Sequence, residues 1–222
     1  MKPIVAVSTP VGAGAISIVR MSGDGVLDIA RRLFSCKEDI TPRKVILGTF
    51  SYNGINEKCL LVYFKAPHSY TGEDIVEFQC HGGELLTREV LNALINNGAR
   101  LAENGEFTKR AFLNGKVSLD SAEGIIDVIN AGTEAELKAG YNLMSGKLYQ
   151  EVKELQDKVT DELASVDMTL DYPEHDDEGE TLEHTKGVLK EVEKNIQALL
   201  ATAGTGKLIK SGINAAIVGK PN

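Results

Sequence analysis

The sequence predicts an α+β protein in which a domain of strands and helices precedes an all-α domain. Up to residue 117, short runs of alternating apolar residues are interspersed with amphipathic helical patterns. From residue 118 the strand patterns stop and long helical patterns follow, until one short strand pattern returns near residue 215. These changes divide the chain into segments 1–117, 118–211 and 212–222.

Composition and charge restrict the classes of function. The 222 residues carry a formal net charge of −8, so a general electrostatic affinity for nucleic acid is not expected, and RNA contact would need a local basic patch. No stretch reaches the roughly 18 apolar residues of a membrane span, and the N-terminus lacks the pattern of a signal peptide. We therefore expect a cytoplasmic protein without a membrane segment.

The cysteines and histidines predict neither a disulfide framework nor a metal site. Cys36, Cys59 and Cys80 are odd in number and widely spaced, which predicts three buried thiols. The four histidines show no spacing typical of metal ligands, so a structural metal is not expected.

The first strand-like runs, residues 4–8 and 15–21, are joined by a turn rich in glycine and proline. In the second run Arg20 shares a face with Ile16 and Ile18, where the alternation favours an apolar residue. Arg20 either extends from a strand end or forms a fork that holds an anionic or amide-bearing ligand. The pattern leaves both interpretations open.

A helix and a hairpin follow. Residues 22–34 have apolar side chains at helical spacing, which predicts a structural helix. Two β-rich runs, 45–52 and 58–64, flank Asn53 and Gly54, a dipeptide typical of tight hairpin turns. These runs predict framework strands.

The segment HSYTGEDIVEFQCHGG, residues 68–83, has the most distinctive polar pattern of the chain. Its strand-like run, 75–80, places Glu77, Gln79 and His81 on one face and a core on the other. A carboxylate, an amide and an imidazole in line can bind the hydrogen-bonding edge of a polar heterocycle. The alternative is a half-exposed strand with solvated polar residues.

After a structural helix predicted for residues 84–97, the segment NGEFTKRAFLNGK spans residues 104–116. We expect its apolar residues to pack and its basic residues to project charge, with a solvated basic helix end as the alternative. The apolar set is Phe107, Ala111, Phe112 and Leu113, and the basic set is Lys109, Arg110 and Lys116.

The all-α segment predicts two long helices. The first has an apolar seam formed by Leu148, Val152, Leu155, Val159, Leu163, Val166 and Leu170. Pro173 ends it, and residues 174–180 form an acidic hinge. A second helix, from about Leu182 to Gly204, pairs with the first in antiparallel fashion, or the seam binds a partner helix.

The C-terminal residues carry a strand pattern at 213–218 followed by Gly219, Lys220, Pro221 and Asn222. These four match the first four positions of a phosphate-binding P-loop, GxxxxGK(S/T), in which backbone amides surround the phosphates. Alone this match is weak, because the lysine and hydroxyl positions lie beyond it.

Taken together, four motifs resemble, in order and spacing, the MnmE (TrmE) family of tRNA-modification GTPases. They are TPVGAG with SIVRMSG, SYTGEDIVEFQCHGG, GEFTKRAFLNGK and the terminal AAIVGKPN. The resemblance implies a mixed-sheet folate-binding and dimerisation domain in 1–117 and the first half of a helical domain in 118–211. It also implies the first strand of a Ras-like α/β GTPase domain in 212–222, and hence a fragment that does not hydrolyse GTP by itself.

The resemblance implies a function shared with other molecules. The family works with the flavoprotein MnmG (GidA) to build an aminomethyl-type group on the wobble uridine of certain tRNAs. The implied cofactors are 5-formyltetrahydrofolate or methylenetetrahydrofolate and, in the full-length protein, GTP, magnesium and potassium. The implied partners are MnmG, tRNA and a second copy of the chain.

The resemblance assigns the folate contacts to Arg20, Glu77 and Lys116. A carboxylate accepts paired hydrogen bonds from the amino-pyrimidine edge of a pterin, and the two cations suit carbonyl or glutamate-tail oxygens. Asn222 matches an asparagine that in the family helps bind nucleotide and a potassium ion. For Gln79 and for His81 two roles stay open, lining the pocket or bracing the turn. Neither residue is assigned to the site.

The sequence departs from the family pattern at two positions, with Asn104 where relatives commonly have proline and Ala13 where many have arginine. Two other hypotheses stay open. One is a folate-dependent aminomethyltransferase similar to the glycine-cleavage T protein, and the other is a scaffold that uses the apolar helix seam. A completed P-loop beyond Asn222 would favour the GTPase.

Overall fold

The computed structural model describes residues 1–10, 12–172, 178–211, 216, 218 and 219, of which 178–181 and 202–211 are described by their backbone. The chain forms two compact units, Met1–Val117 and Ser118–Asn222. The first unit combines strands and helices, and the described part of the second is helical, in agreement with the predicted order of strand-rich and helical segments.

The first unit is built on one mixed sheet. Its strands are β1 (Ile4–Val7), β2 (Ile16–Ser22), β3 (Phe34–Cys36), β4 (Val45–Tyr52), β5 (Ile55–Phe64), β6 (Ile75–His81) and β7 (Arg100–Leu101), and its helices are α1 (Val26–Leu33), α2 (Glu84–Asn96) and α3 (Glu106–Leu113). The strands of this described unit lie in the order β3-β4-β5-β6-β2-β1-β7. Their pairing is antiparallel except between β1 and β7, which are parallel.

The two faces of the sheet have different roles, because successive side chains of a strand point to opposite faces. One face packs against α1 and α2 and forms the hydrophobic core. At its centre Phe78 contacts the rings of Phe34 and Phe50 edge to face, with centroid distances of 5.9 and 5.2 Å. Each aromatic side chain buried in this way contributes roughly 1.5–3 kcal/mol of hydrophobic stabilisation. The opposite face is contacted by α3 near β2.

The turn between β4 and β5 forms as its sequence predicts. Asn53 and Gly54 have φ angles of 47° and 84°. Positive φ at both central residues is what a two-residue hairpin turn requires, and asparagine followed by glycine tolerates it best. The turn fixes a register in which Val45 lies opposite Val62.

The first helix begins later than predicted, at Val26 rather than at residue 22. The prediction was wrong because Ser22 belongs to β2, where it lies opposite both Ile4 and Ile75. The helix also ends earlier than expected, since Phe34 starts the short edge strand β3.

The described helices of the second unit are α4 (Leu119–Asn130), α5 (Glu134–Met144), α6 (Lys147–Asp171) and α7 (Glu178–Ser211). α4 and α5 approach closely at two glycines, Gly124 and Gly140. A Cβ atom on Gly124 would lie 2.4 Å from the backbone nitrogen of Met144. Glycine is therefore required at this crossing, because any larger residue would push the helices apart.

α6 and α7 are antiparallel neighbours, one of the two arrangements expected for the long helices. Lys158 Nζ lies 2.7 Å from Glu191 Oε1, and Thr185 Oγ1 donates to Glu162 Oε2 at 2.9 Å. Later residues of α6 thus meet earlier residues of α7. α7 already begins at residue 178, so the C-terminal part of the predicted acidic hinge is helical, whereas Pro173 and residues 174–177 lie outside the described residues.

The apolar seam of α6 is largely open in the described unit. Val152, Val159, Leu163 and Leu170 are all exposed. The predicted strand at 213–218 falls mainly outside the described residues, as do Lys220, Pro221 and Asn222.

Candidate functional site

Arg20 and Glu77 face each other on adjacent strands. The antiparallel register of β2 and β6 sets Arg20 directly opposite Glu77. Arg20 Nε donates to Glu77 Oε1 at 2.6 Å. The Glu77 side chain is 11% exposed and the Arg20 side chain 29% exposed. The pair is therefore partly shielded from water while its guanidinium stays accessible to a ligand.

The surroundings of this pair are apolar. In the same row of the sheet, Ala6 lies beside Arg20, and Val62 lies beside Glu77. The half-buried ring of Phe107 covers the guanidinium, with Arg20 Cζ 5.9 Å from the ring centroid, a distance typical of a cation–π contact. Hydrogen bonds to charged groups are stronger in such low-dielectric surroundings than in water.

The pair keeps hydrogen-bonding capacity for a ligand. Among the described residues, the two Nη groups of Arg20 and the Oε2 atom of Glu77 have no hydrogen-bond partner. The guanidinium presents donors in a fixed fork, and the carboxylate oxygen accepts hydrogen bonds. The pair therefore places hydrogen-bond donors next to an acceptor. This arrangement is complementary to a ligand whose planar edge carries an acceptor next to donors.

Lys116 lies just beyond the end of α3. Its backbone nitrogen donates to the oxygen of Ala111 at 2.8 Å, and its exposed side chain passes Gly72. A Cβ atom on Gly72 would lie 3.1 Å from Lys116 Cε. Within the described residues no hydrogen bond or ion pair joins Lys116 to Arg20 or Glu77. The structure thus brings two of the three predicted folate residues together and places the third beside the loop before β6.

The other polar residues of the β6 face differ in their surroundings. Gln79 is half-buried between Leu60 and Ile18 of the neighbouring strands. His81 is exposed, and its ring Nδ1 lies 2.6 Å from Glu57 Oε1. The same carboxylate oxygen accepts from the His81 backbone nitrogen at 3.0 Å. These contacts support the interpretation in which the histidine braces the turn.

The structure corrects the prediction for the basic segment 104–116. Arg110 was expected to project its charge, but its side chain is only 5% exposed. It is neutralised by Glu73, at 2.9 Å, and by Glu106, at 3.0 Å. Phe112 and Leu113, expected to pack, are 43% and 61% exposed. Ala111 is buried and Lys109 and Lys116 are exposed as expected, so the prediction was wrong for Arg110, Phe112 and Leu113.

Glu106 is the central acceptor of this buried network, which sequence reasoning missed. It accepts hydrogen bonds from Arg100, Arg110 and the Glu103 backbone nitrogen. Hydrogen bonds from Arg100 first, and then from Glu103 and Arg110, lower the pKa of Glu106 to about 2. The spacing of Glu106 and Arg110 by four residues is a typical helix ion pair and was a usable signal.

The thiols and the described carboxylates form no further centre. Cys59 and Cys80 are buried as predicted, whereas Cys36 is half-buried because it lies on the edge strand β3. A hydrogen bond with Cys59 and burial raise the pKa of the Cys80 thiol, which keeps it protonated and unreactive. No cluster of three metal-ligating side chains occurs within the described ranges.

Asn222, the predicted nucleotide and potassium ligand, lies outside the described residues. Among the helices that the structure describes, none has the length and apolar character needed to cross a bilayer.

A mixed sheet that carries a partly shielded ion pair, followed by a helical unit, defines an α+β protein of two units. Comparison with protein families identifies which one. The family model described as "GTP-binding protein TrmE N-terminus" matches residues 3–116, and the model described as "MnmE helical domain" matches residues 119–216. The chain belongs to the MnmE (TrmE) family.

Curated relatives agree with this assignment. The chain is 42% identical over 225 residues to the tRNA modification GTPase MnmE of Clostridioides difficile, covering 99% of this chain and 49% of the relative. It is 43% identical over 224 residues to the protein of the same name from Aquifex aeolicus, covering 100% of this chain and 50% of the relative. The chain thus spans about half the length of the curated relatives it matches.

Proposed function

We propose that the first unit binds a reduced folate, 5-formyltetrahydrofolate or methylenetetrahydrofolate, at the Arg20–Glu77 pair. The observation that carries this proposal is the partly shielded ion pair, whose outer donors and acceptor have no partner among the described residues. The amino-pyrimidine edge of a pterin donates to Glu77 Oε2, and the adjacent carbonyl accepts from the Arg20 fork.

Lys116 is the proposed contact for the far end of the ligand. Among the described residues its ammonium has no ion-pair partner, and its side chain is exposed beside Gly72. A solvated ammonium on a flexible chain suits the carboxylates of a folate glutamate tail better than the planar pterin. We therefore assign the pterin to the ion pair and the tail to Lys116.

We further propose that the chain acts in tRNA modification as part of a GTPase that works with the flavoprotein MnmG. The relatives are named tRNA modification GTPases, which supports a role in tRNA modification and favours it over a free-standing aminomethyltransferase. The folate would supply the one-carbon unit of an aminomethyl-type group on the wobble uridine of tRNA. GTP, magnesium and potassium would belong to a GTPase domain, to which we assign residues 212–222.

The open sheet face supports a homodimer formed through the first unit. Val45, Leu47 and Ile16, on the same face as Arg20, are 56%, 67% and 62% exposed. A second copy would cover these apolar side chains beside the folate site. Light scattering of the chain is expected to give the mass of a dimer. Leu47→Lys should give a monomer and Leu189→Lys, on α7, should leave the dimer intact; a dimer that survives Leu47→Lys would contradict this surface.

The open seam of α6 supports a second proposal about packing. Because the chain spans about half the length of its relatives, we propose that further helical segments of the family cover Leu163, Leu170 and their neighbours. The scaffold hypothesis would instead assign this seam to a separate partner.

Calorimetry with 5-formyltetrahydrofolate tests the folate proposal. A charge-assisted hydrogen bond contributes about 1.5–3 kcal/mol, so Glu77→Gln should weaken binding roughly tenfold or more. Glu123→Gln removes the same charge from an exposed position of α4 and should leave affinity unchanged. Absence of heat with the folded wild-type chain at high ligand concentration would refute the proposal.

A further inference from the structure

A buried ion network fixes α3 to three other parts of the first unit. Arg110 donates to Glu73 Oε2 at 2.9 Å and to Glu106 Oε1 at 3.0 Å. It also donates to the backbone oxygens of Lys2, at 3.0 Å, and Ser22, at 3.5 Å. One guanidinium therefore joins α3 to the N-terminal segment, to the end of β2 and to the loop before β6.

Two further hydrogen bonds fix α3 to that same loop. The hydroxyl oxygens of Tyr70 and Thr108 lie 2.9 Å apart, and Asn114 Nδ2 donates to the oxygen of Thr71 at 2.7 Å. One bond lies in the first turn of the helix and the other at its C-terminal end. The helix is thus held to the loop at both ends.

α3 carries side chains that border the proposed folate site. Phe107 lies over the Arg20 guanidinium, and Lys116 follows the end of the helix and passes Gly72. Phe107 and Arg110 are three residues apart, so they lie on the same side of the helix. A shift of α3 away from the segments that Arg110 bonds would therefore also shift the Phe107 ring relative to Arg20.

We propose that Phe107 is a further folate-binding residue, and that Arg110 is a positioning residue that holds the Phe107 ring over Arg20. This inference rests on the proposed folate function and adds an aromatic surface to it. The planar amino-pyrimidinone ring of a reduced pterin stacks favourably on an aromatic ring, and the Phe107 ring also excludes water from the ion pair. Arg110 acts only through the placement of α3.

The ion network depends on the planar geometry of the Arg110 guanidinium. Its planar fork bonds two carboxylates and two carbonyls at once, whereas lysine is a compact point charge on a flexible chain. Arg110→Lys therefore keeps the charge that balances Glu73 and Glu106 while removing the directed bonds. The chain is expected to fold, with α3 free to shift on the sheet.

A double-mutant cycle tests the inference with the full chain and 5-formyltetrahydrofolate as the titrant. Arg110→Lys and Phe107→Leu should each weaken binding about tenfold, the scale of one lost stacking or cation–π contact in a shielded site. If Arg110 acts through the ring, Arg110→Lys should have less than about a threefold effect once Phe107 is leucine. Equal effects in both backgrounds would contradict the positioning role.

Fluorescence gives a readout that needs no ligand, because the sequence contains no tryptophan. Phe107→Trp places a single indole beside Arg20. Adding Arg110→Lys to this variant should move its emission to longer wavelength, as the indole leaves the ion pair and meets water. Unchanged emission would show that the ring does not depend on Arg110. Arg88→Lys, an exposed arginine on α2, is the matched control and should change nothing.

A second variant keeps the test decisive if Arg110→Lys lowers the yield of folded chain. Asn114→Ala removes the bond to Thr71 at the other end of α3 and should weaken folate binding about threefold, with unchanged circular dichroism. Full wild-type affinity in this variant and in Arg110→Lys would overturn the inference but not the folate site. A folded wild-type chain that binds no folate would overturn both.

Discussion

The two units of this chain differ in their charge and in the side chains that they bury. The first has 14 lysines and arginines against 12 acidic residues, and it buries an apolar core on one sheet face and an ion network on the other. The second has 10 lysines and arginines against 20 acidic residues. Among the side chains that the structure describes there, Val192 is its one buried large apolar residue. The first unit therefore has a buried core of its own, whereas the described part of the second leaves many of its large apolar side chains exposed.

Removing Glu106, the central acceptor of the ion network, should have the largest effect on the stability of the first unit relative to the second. Glu106→Gln leaves Arg100 and Arg110 without their shared carboxylate, and breaking a buried pair typically costs about 3 kcal/mol or more. Hydrogen exchange read by mass spectrometry should show faster opening of the first unit and an unchanged second unit.

Glu84→Gln is the control, since its side chain is exposed at the start of α2. Equal protection of the first unit in both variants would show that the network does not stabilise it.

The glycine crossing of the second unit should give the next largest effect. Gly124→Ala forces the new methyl group against the α5 backbone and should lower the free energy of unfolding by about 2 kcal/mol. Gly187→Ala, on α7 with nothing within 4 Å of the new Cβ, should instead stabilise the helix by about 0.5–1 kcal/mol. Thermal melts measure both. Stabilisation by Gly124→Ala would contradict the close packing of α4 and α5.

Acid should also weaken the first unit. The pKa of Glu106 falls from its ordinary value near 4.5 to about 2 in the folded chain. A lowered pKa contributes stability that is complete above the ordinary value and is lost as pH falls from about 4.5 towards 2. The difference in unfolding free energy between the wild-type chain and Glu106→Gln should therefore shrink over this range. A constant difference would argue that Glu106 titrates normally.

The smallest effect is expected for the ion pair between α6 and α7. Lys158 and Glu191 are both exposed, and ion pairs of this kind contribute little because water and salt screen them. Lys158→Met should leave the thermal midpoint of the second unit unchanged. A clear loss would mean that this pair, rather than apolar packing, holds the two helices together.

The sequence was most informative where structure is local. The hairpin at Asn53 and Gly54 follows from turn chemistry, and the alternating pattern of β6 correctly assigns Glu77 to the face opposite the core. Contacts between residues far apart in the sequence were harder to predict. No local pattern shows that Arg20 meets a carboxylate 57 residues away, and the family resemblance alone selected that pair.

The position of Arg110 shows why the buried ion network of α3 was not predicted from the sequence. Charged residues are rarely buried, so three cations in a short segment favour a solvated helix end. Arg110 is buried because Glu73 and the Lys2 and Ser22 carbonyls converge on it from three distant segments. These contacts form only when α3 packs on the sheet. The sequence of the helix alone does not show how it packs.

The proposed folate site of the first unit lies at the Arg20–Glu77 pair. Mapping of backbone amide shifts by nuclear magnetic resonance, with 5-formyltetrahydrofolate added to the chain, tests it most directly. Shifts are expected in β2 and β6 around Arg20 and Glu77, in α3 around Phe107 and at Lys116, with α6 and α7 unaffected. Shifts confined to the second unit, or none at saturating ligand, would contradict the claim.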